Sequence, residues 1–188
     1  MKKKIESILE ESISVKKDLL VSQAGAIEKA ADAVIESLRS GGKVIIFGNG
    51  GSAADSQHMA AELVGKFLKE RKGVPAVALT TNTSIITAIA NDYSYDEVFS
   101  RQLDAIAGNN DVAVGISTSG NAKNVIRAVE LANKKGLVTV ALTGRDGGGL
   151  AKIAKIPIIV PSGSTPRIQE AHVTVVHILC QLAEEALF

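Results

Sequence analysis

Val44-Ile45-Ile46-Phe47-Gly48-Asn49-Gly50-Gly51-Ser52 is the stretch whose reading decides the fold. Four apolar residues without alternation suit a strand covered on both faces, as in a parallel sheet. The glycines after them, with Ser52 at the entry to a helical stretch, read as the turn of a βα unit. The same rhythm recurs along the chain. Apolar runs at 74–79, 112–116, 137–142 and 156–160 alternate with helical stretches near 53–69, 83–106, 121–135 and 148–153, of which 83–106 is expected to be broken. A last helix is expected from about Pro166 to Leu187. Ahead of the first run, Ile5, Ile8, Leu9, Leu19, Leu20, Ile27, Ala30, Ala31, Val34 and Ile35 recur at helical spacing, and Gly25 suggests a break between two N-terminal helices. These elements predict an α/β fold: a three-layer sandwich around a five-stranded parallel sheet, preceded by N-terminal helices, in one domain over 1–188.

Composition narrows the function. The 188 residues carry 21 Lys and Arg against 20 Asp and Glu, a net charge of +1, which leaves no electrostatic footprint for nucleic acid or a membrane surface. Tryptophan is absent and aromatics are 3%, so platforms for stacking single-stranded bases are not expected. One cysteine, Cys180, forms no intrachain disulfide and reads as core. No apolar run is long enough to span a membrane and the first residues do not read as a signal peptide, so the expected location is the cytoplasm.

In open α/β sheets, ligands bind outside the carboxyl ends of the strands. After the first run, Gly48-Asn49-Gly50-Gly51-Ser52 admits a close backbone approach at a helix N-terminus, suited to an anion or a hydroxylated ligand. It lacks the Gly-Lys-Ser/Thr of a nucleotide triphosphatase loop. It matches the loose dinucleotide pattern, but the second run ends Leu79-Thr80-Thr81-Asn82, without an acidic residue for a ribose. A tight turn with no ligand is the plain alternative. After the third run, Ser117-Thr118-Ser119-Gly120-Asn121 gathers neutral donors at another helix N-terminus, with Lys123 in the first turn. A phosphate monoester needs such a set; helix capping needs only one of them. Asn91 and Asp92 suit sugar hydroxyls or a simple turn. The loop from Thr143 to Gly149 reads as a turn, with Arg145 within reach of an anion.

Two helical stretches carry clusters with chemical potential. His58 and Glu62, four apart, share one helix face; the pair suits a metal or a base beside a proton carrier, and by composition alone it reads as solvated. His177 lies in an apolar stretch beside Ile178, Leu179 and Cys180, where a lone histidine reads as core or interface; His172 has no evident partner.

The segments 48–52 with Asp55, His58 and Glu62, then Asn91-Asp92, then 117–121, then Arg167-Ile168-Gln169-Glu170 with His172 and His177, resemble the phosphoheptose isomerases. These have the SIS (sugar isomerase) fold, which is flavodoxin-like. The resemblance implies an aldose–ketose isomerase acting on sedoheptulose 7-phosphate to give D-glycero-D-manno-heptose 7-phosphate, for ADP-heptose and the lipopolysaccharide core. It implies one zinc per subunit and a homotetramer in which the region 1–40 serves oligomer packing. Carried onto this chain, Asn49, Gly50 and Gly51 line the substrate, with Ser52 close by, and Asn91 and Asp92 meet its hydroxyls. Ser117, Thr118 and Ser119 hold the phosphate. Glu62 and His177 form the acid–base pair, and His58, Glu62, Gln169 and His177 are the zinc ligands; Glu62 and Gln169 also meet substrate. The chain departs from the family pattern at Ala122, where a serine often assists the phosphate, and at Pro166, where some members have an aspartate.

On one helix, Gln169 and His177 are separated by about 12 Å along the axis and about 80° around it. Ligation of one metal by both is easier with one residue from a neighbouring subunit, which predicts interfacial active sites. The rival readings are a non-catalytic tetramer of the replication-initiator-associating type, a sugar-phosphate-sensing regulatory domain, and an isomerase of a pentose or hexose phosphate. The joint presence of His58, Glu62, Gln169 and His177 favours the enzyme over the first, and the absence of a DNA-binding segment disfavours the second.

Overall fold

The computed structural model describes residues 1–188. Five parallel strands, β1 (Val44–Gly48), β2 (Ala76–Ala78), β3 (Val112–Ser117), β4 (Val138–Gly144) and β5 (Ile156–Val160), lie in the order β2-β1-β3-β4-β5. The helices are α1 (Lys2–Arg39), α2 (Gly51–Val64), α3 (Thr83–Asp92), α4 (Ser100–Ile106), α5 (Lys123–Lys134), α6 (Gly148–Ile153) and α7 (Thr165–Leu187), with a 3-10 turn at Tyr95–Glu97.

Alternate residues of each strand enter different layers. Val44, Ile46, Val112, Val114, Ile116, Val140 and Leu142 pack under α1, α2 and α7 with Val34, Met59, Leu63, Val175 and Leu179. Ile45, Phe47, Ala113 and Ala141 face the other way, against Leu103, Val125, Val129 and Leu150 of α4, α5 and α6. Burial on both faces explains the uninterrupted apolar runs.

The N-terminal expectation is corrected. α1 is one continuous 38-residue helix, with Gly25 inside it. Nothing lies within 4 Å of where a Gly25 side chain would project, so this glycine is neither a turn nor a close packing point. Its cost of about 1 kcal/mol is local. The packing of α1 on α7 and β5 spans both sides of Gly25, from Val15 and Leu19 to Ile27 and Val34, and outweighs it. β2 is shorter than its apolar run; it is an edge strand with β1 as its sole partner.

Strand order sets where a ligand can enter. The chain leaves β1 toward β2 on one side and returns to β3 on the other, so the crevice of this doubly wound sheet opens between β1 and β3. Gly48 pairs with Ile116, which starts the glycine loop and the serine loop side by side.

Candidate active site

Backbone geometry shapes the glycine loop. Gly50 caps α2 with φ 56°, a left-handed conformation that only glycine adopts freely. A side chain at Gly48 would strike the Ile116 carbonyl and Ser52, so glycine here lets the two loops touch. Ser52 is buried behind the loop, and the N-cap position is held by Gly50, not Ser52.

Asn49 ties this loop to the serine-loop helix. Its amide exchanges two hydrogen bonds with Asn124 at 2.8 and 2.9 Å, and its Oδ1 also accepts from Tyr95 Oη at 3.1 Å. Asn124 is buried in the first turn of α5. Neither Asn124 nor Tyr95 is singled out by sequence, because the pairing requires β1 and β3 to be neighbours. Asn91 and Asp92 form the exposed last turn of α3, with Asn91 Nδ2 donating to Asp92 Oδ1 at 2.8 Å. Three residues later, Tyr95 reaches the glycine loop.

The serine loop does not cap α5. The N-cap position is Ala122, without a side-chain cap bond. Ser119 Oγ accepts the Asn121 N–H at 3.2 Å, which leaves the hydroxyl proton to donate elsewhere. Ser117 is buried at the end of β3; Thr118 and Ser119 are half-buried. The Thr143–Gly149 turn braces this loop: Leu150 N donates to Gly120 O at 2.8 Å and Gly149 N to Asn121 Oδ1 at 3.0 Å. Donors at the α5 N-terminus beside Lys123 suit a phosphate.

α2 and α7 run side by side in the same direction. The Gln169 amide sits where a Gly51 side chain would project, and two turns further along both helices His177 meets His58. His58 Nε2 lies 3.0 Å from Glu62 Oε1 and 3.2 Å from His177 Nε2. One ring proton serves only one of these contacts at a time. The three ligand atoms all lie within 4.8 Å of one another, two imidazole nitrogens and a carboxylate oxygen, a donor set that fits a divalent cation such as zinc. His177 thus faces the site rather than the core, and one chain supplies these three residues. Asp55, one turn before His58, is buried with Oδ2 unpartnered; burial raises its carboxyl to about 6, opposed by the His58 charge. His172 is a core residue, its Nε2 3.0 Å from the Thr143 carbonyl, and burial lowers its imidazole to about 4 against that bond.

Comparison with known proteins gives the family and the fold. The SIS domain family matches residues 9–144. The phosphoheptose isomerase of Geobacter sp. (strain M21) is 57% identical over 163 residues, 87% of this chain and 85% of the relative. This chain belongs to the phosphoheptose isomerase family. The solved phosphoheptose isomerases of Neisseria gonorrhoeae and Francisella tularensis superpose with TM-scores of 0.92 and 0.93, at 42% and 37% identity. The first match covers 98% of each chain and the second 97%. Phosphoheptose isomerase relatives therefore share the whole framework, from α1 to α7.

Proposed function

We propose that this phosphoheptose isomerase family member interconverts sedoheptulose 7-phosphate and D-glycero-D-manno-heptose 7-phosphate, with Glu62 and His177 as its acid–base pair. The observation that carries the reading is the convergence of His58, Glu62 and His177, the first two of them on the helix that starts from the glycine loop. The reaction moves one proton between C1 and C2 through an enediol, and needs a base for carbon and an acid for oxygen. Glu62 takes the proton from C1 of the ketose and returns it to C2. His177 exchanges protons with the two substrate oxygens. Ser117, Thr118, Ser119 and the α5 N-terminus hold the phosphate, which orients the sugar. Asn49, Gly50 and Gly51 line it, with Ser52 buried behind them, and Asn91 and Asp92 receive its hydroxyls.

His58, Glu62 and His177 would hold zinc, with Gln169 of this or a second copy as the fourth ligand. Bound there, zinc would supply positive charge to offset the negative charge that develops on the substrate oxygens. The enzyme works in the cytoplasm, ahead of ADP-heptose and the lipopolysaccharide core, as a homotetramer with interfacial sites. Exposed Ile5, Ile8, Leu9, Ile13, Leu20 and Val21 on α1 favour packing against another copy. The full set of His58, Glu62, Gln169 and His177 disfavours a non-catalytic tetramer of the same fold. Replacing Glu62 with glutamine tests the reading: turnover is lost and sugar-phosphate binding persists, whereas full turnover would refute it.

A further inference from the structure

A buried ion pair lies behind Glu62 and His177. Glu184, seven residues after His177 on α7, is 3% exposed. Its carboxylate accepts the backbone N–H groups of Phe67, Leu68 and Lys69 at 3.0, 2.7 and 2.8 Å, and Arg71 Nε at 2.8 Å. Burial pushes the Glu184 carboxyl up, but the N–H groups of Leu68, Lys69 and Phe67 and the Arg71 guanidinium outweigh it and hold it at about 2. The Arg71 side chain is 2% exposed. Its Nη2 donates to the Glu62 carbonyl at 2.8 Å, and its Nη1 to the carbonyls of Leu63, Gly65 and Lys72 at 2.9, 3.1 and 3.2 Å.

The last carbonyls of a helix have no partner within it. Arg71 supplies partners to those that end α2, in the turn that carries Glu62. Glu184 meanwhile captures the N–H of Phe67, whose ring centroid lies 5.6 Å from that of His177. One buried pair therefore fixes the backbone of one member of the acid–base pair and the packing wall of the other.

We infer that Arg71 and Glu184 are positioning residues for the isomerisation, acting on Glu62 through its carbonyl and on His177 through Phe67. This rests on the acid–base reading of Glu62 and His177. A misplacement near 1 Å at such a pair costs on the order of 100-fold in rate. Loss of the ion pair therefore lowers kcat, while the phosphate loop, held by α5 and the Thr143–Gly149 turn, keeps KM.

A purely structural role makes a different prediction, and the fold offers the control. Lys43 and Asp111 form a half-buried ion pair, with Nζ–Oδ2 at 2.6 Å, at the opposite ends of β1 and β3. The test compares Glu184→Gln and Arg71→Lys with Asp111→Asn in zinc-loaded protein, measuring kcat and KM on sedoheptulose 7-phosphate. The imidazole NMR signals of the three histidines are recorded in parallel. The two clamp variants are expected to lower kcat at least about 10-fold with KM within about two-fold. They should shift the His58 and His177 signals and leave His172 in place, while Asp111→Asn keeps kcat. Equal losses in all three variants, or an unmoved His177 signal, would overturn the inference. Should the clamp variants not fold, Phe67→Leu keeps the ion pair and removes only the ring; an unchanged kcat and His177 signal in that variant would overturn it too. Full activity in Glu62→Gln is a separate result, and sinks the acid–base reading itself.

Discussion

His58 Nε2 lies 3.2 Å from His177 Nε2, although 119 residues separate them in the chain. The contact joins α2 to α7 across one layer of the sandwich and brings Glu62 to the same point. Two imidazole nitrogens and a carboxylate oxygen meet there within 4.8 Å of one another, and a divalent cation among them can take all three as ligands.

Zinc titration of metal-stripped protein is therefore expected to give one site per chain. His58→Ala weakens that site at least about 10-fold, since loss of a direct ligand costs no less than loss of an outer one. Calorimetry measures both. Unchanged zinc affinity in His58→Ala would count against the cluster as the metal site.

Glu62→Gln keeps the shape of the side chain and removes the proposed base. Turnover is expected to fall at least about 100-fold, the lower range for a lost general base. Equilibrium binding of the sugar phosphate, measured by calorimetry, should persist.

Ser119→Ala removes a hydroxyl whose proton is free for the phosphate. A hydrogen bond to a charged group contributes about 1.5–3 kcal/mol, so KM is expected to rise roughly 10- to 100-fold with kcat largely kept. Ala122 already lacks a hydroxyl in this chain, which makes each remaining donor matter more. An unchanged KM would move the phosphate away from this loop.

His172 gives the stability an acid limb. Its imidazole titrates at about 4 in the folded chain against an ordinary 6.5. Below pH 6.5 the unfolded chain takes the proton first, so stability falls as the pH drops from 6.5 to 4, by about 3 kcal/mol for this group. Glu184 adds a lower limb: its contribution is complete above 4.5 and is lost as pH falls toward about 2. His172→Gln keeps a donor for the Thr143 carbonyl and removes the titration. Urea midpoints measured from pH 7 to pH 4 should fall less in this variant than in the parent.

The strands were legible because burial on both faces leaves uninterrupted apolar runs, and the two loops because glycines and hydroxyls cluster directly after β1 and β3. The helix break at Gly25 was misread. A glycine signals a break only when local preference decides, and in α1 tertiary packing decides. Asn124 and Tyr95 were invisible, because their partner Asn49 becomes their neighbour only through the strand order. Arg71 and Glu184, 113 residues apart, were hidden for the same reason. By its apolar neighbours alone His177 reads as a core or interface residue, and only the resemblance gives it a role; it occupies the face of α7 turned toward α2. Asp55 had a signal, three residues before His58 on the same helix face, but no sequence rule gives a lone carboxylate a role there.

Conversion of sedoheptulose 7-phosphate, followed by NMR with metal-stripped protein before and after zinc addition, is the decisive experiment for a metal-assisted heptose-phosphate isomerase. Little aldoheptose phosphate is expected from the stripped protein, and rapid formation once zinc is restored. Equal conversion in both samples would contradict the role given to the metal, and no conversion in either would contradict the isomerase itself.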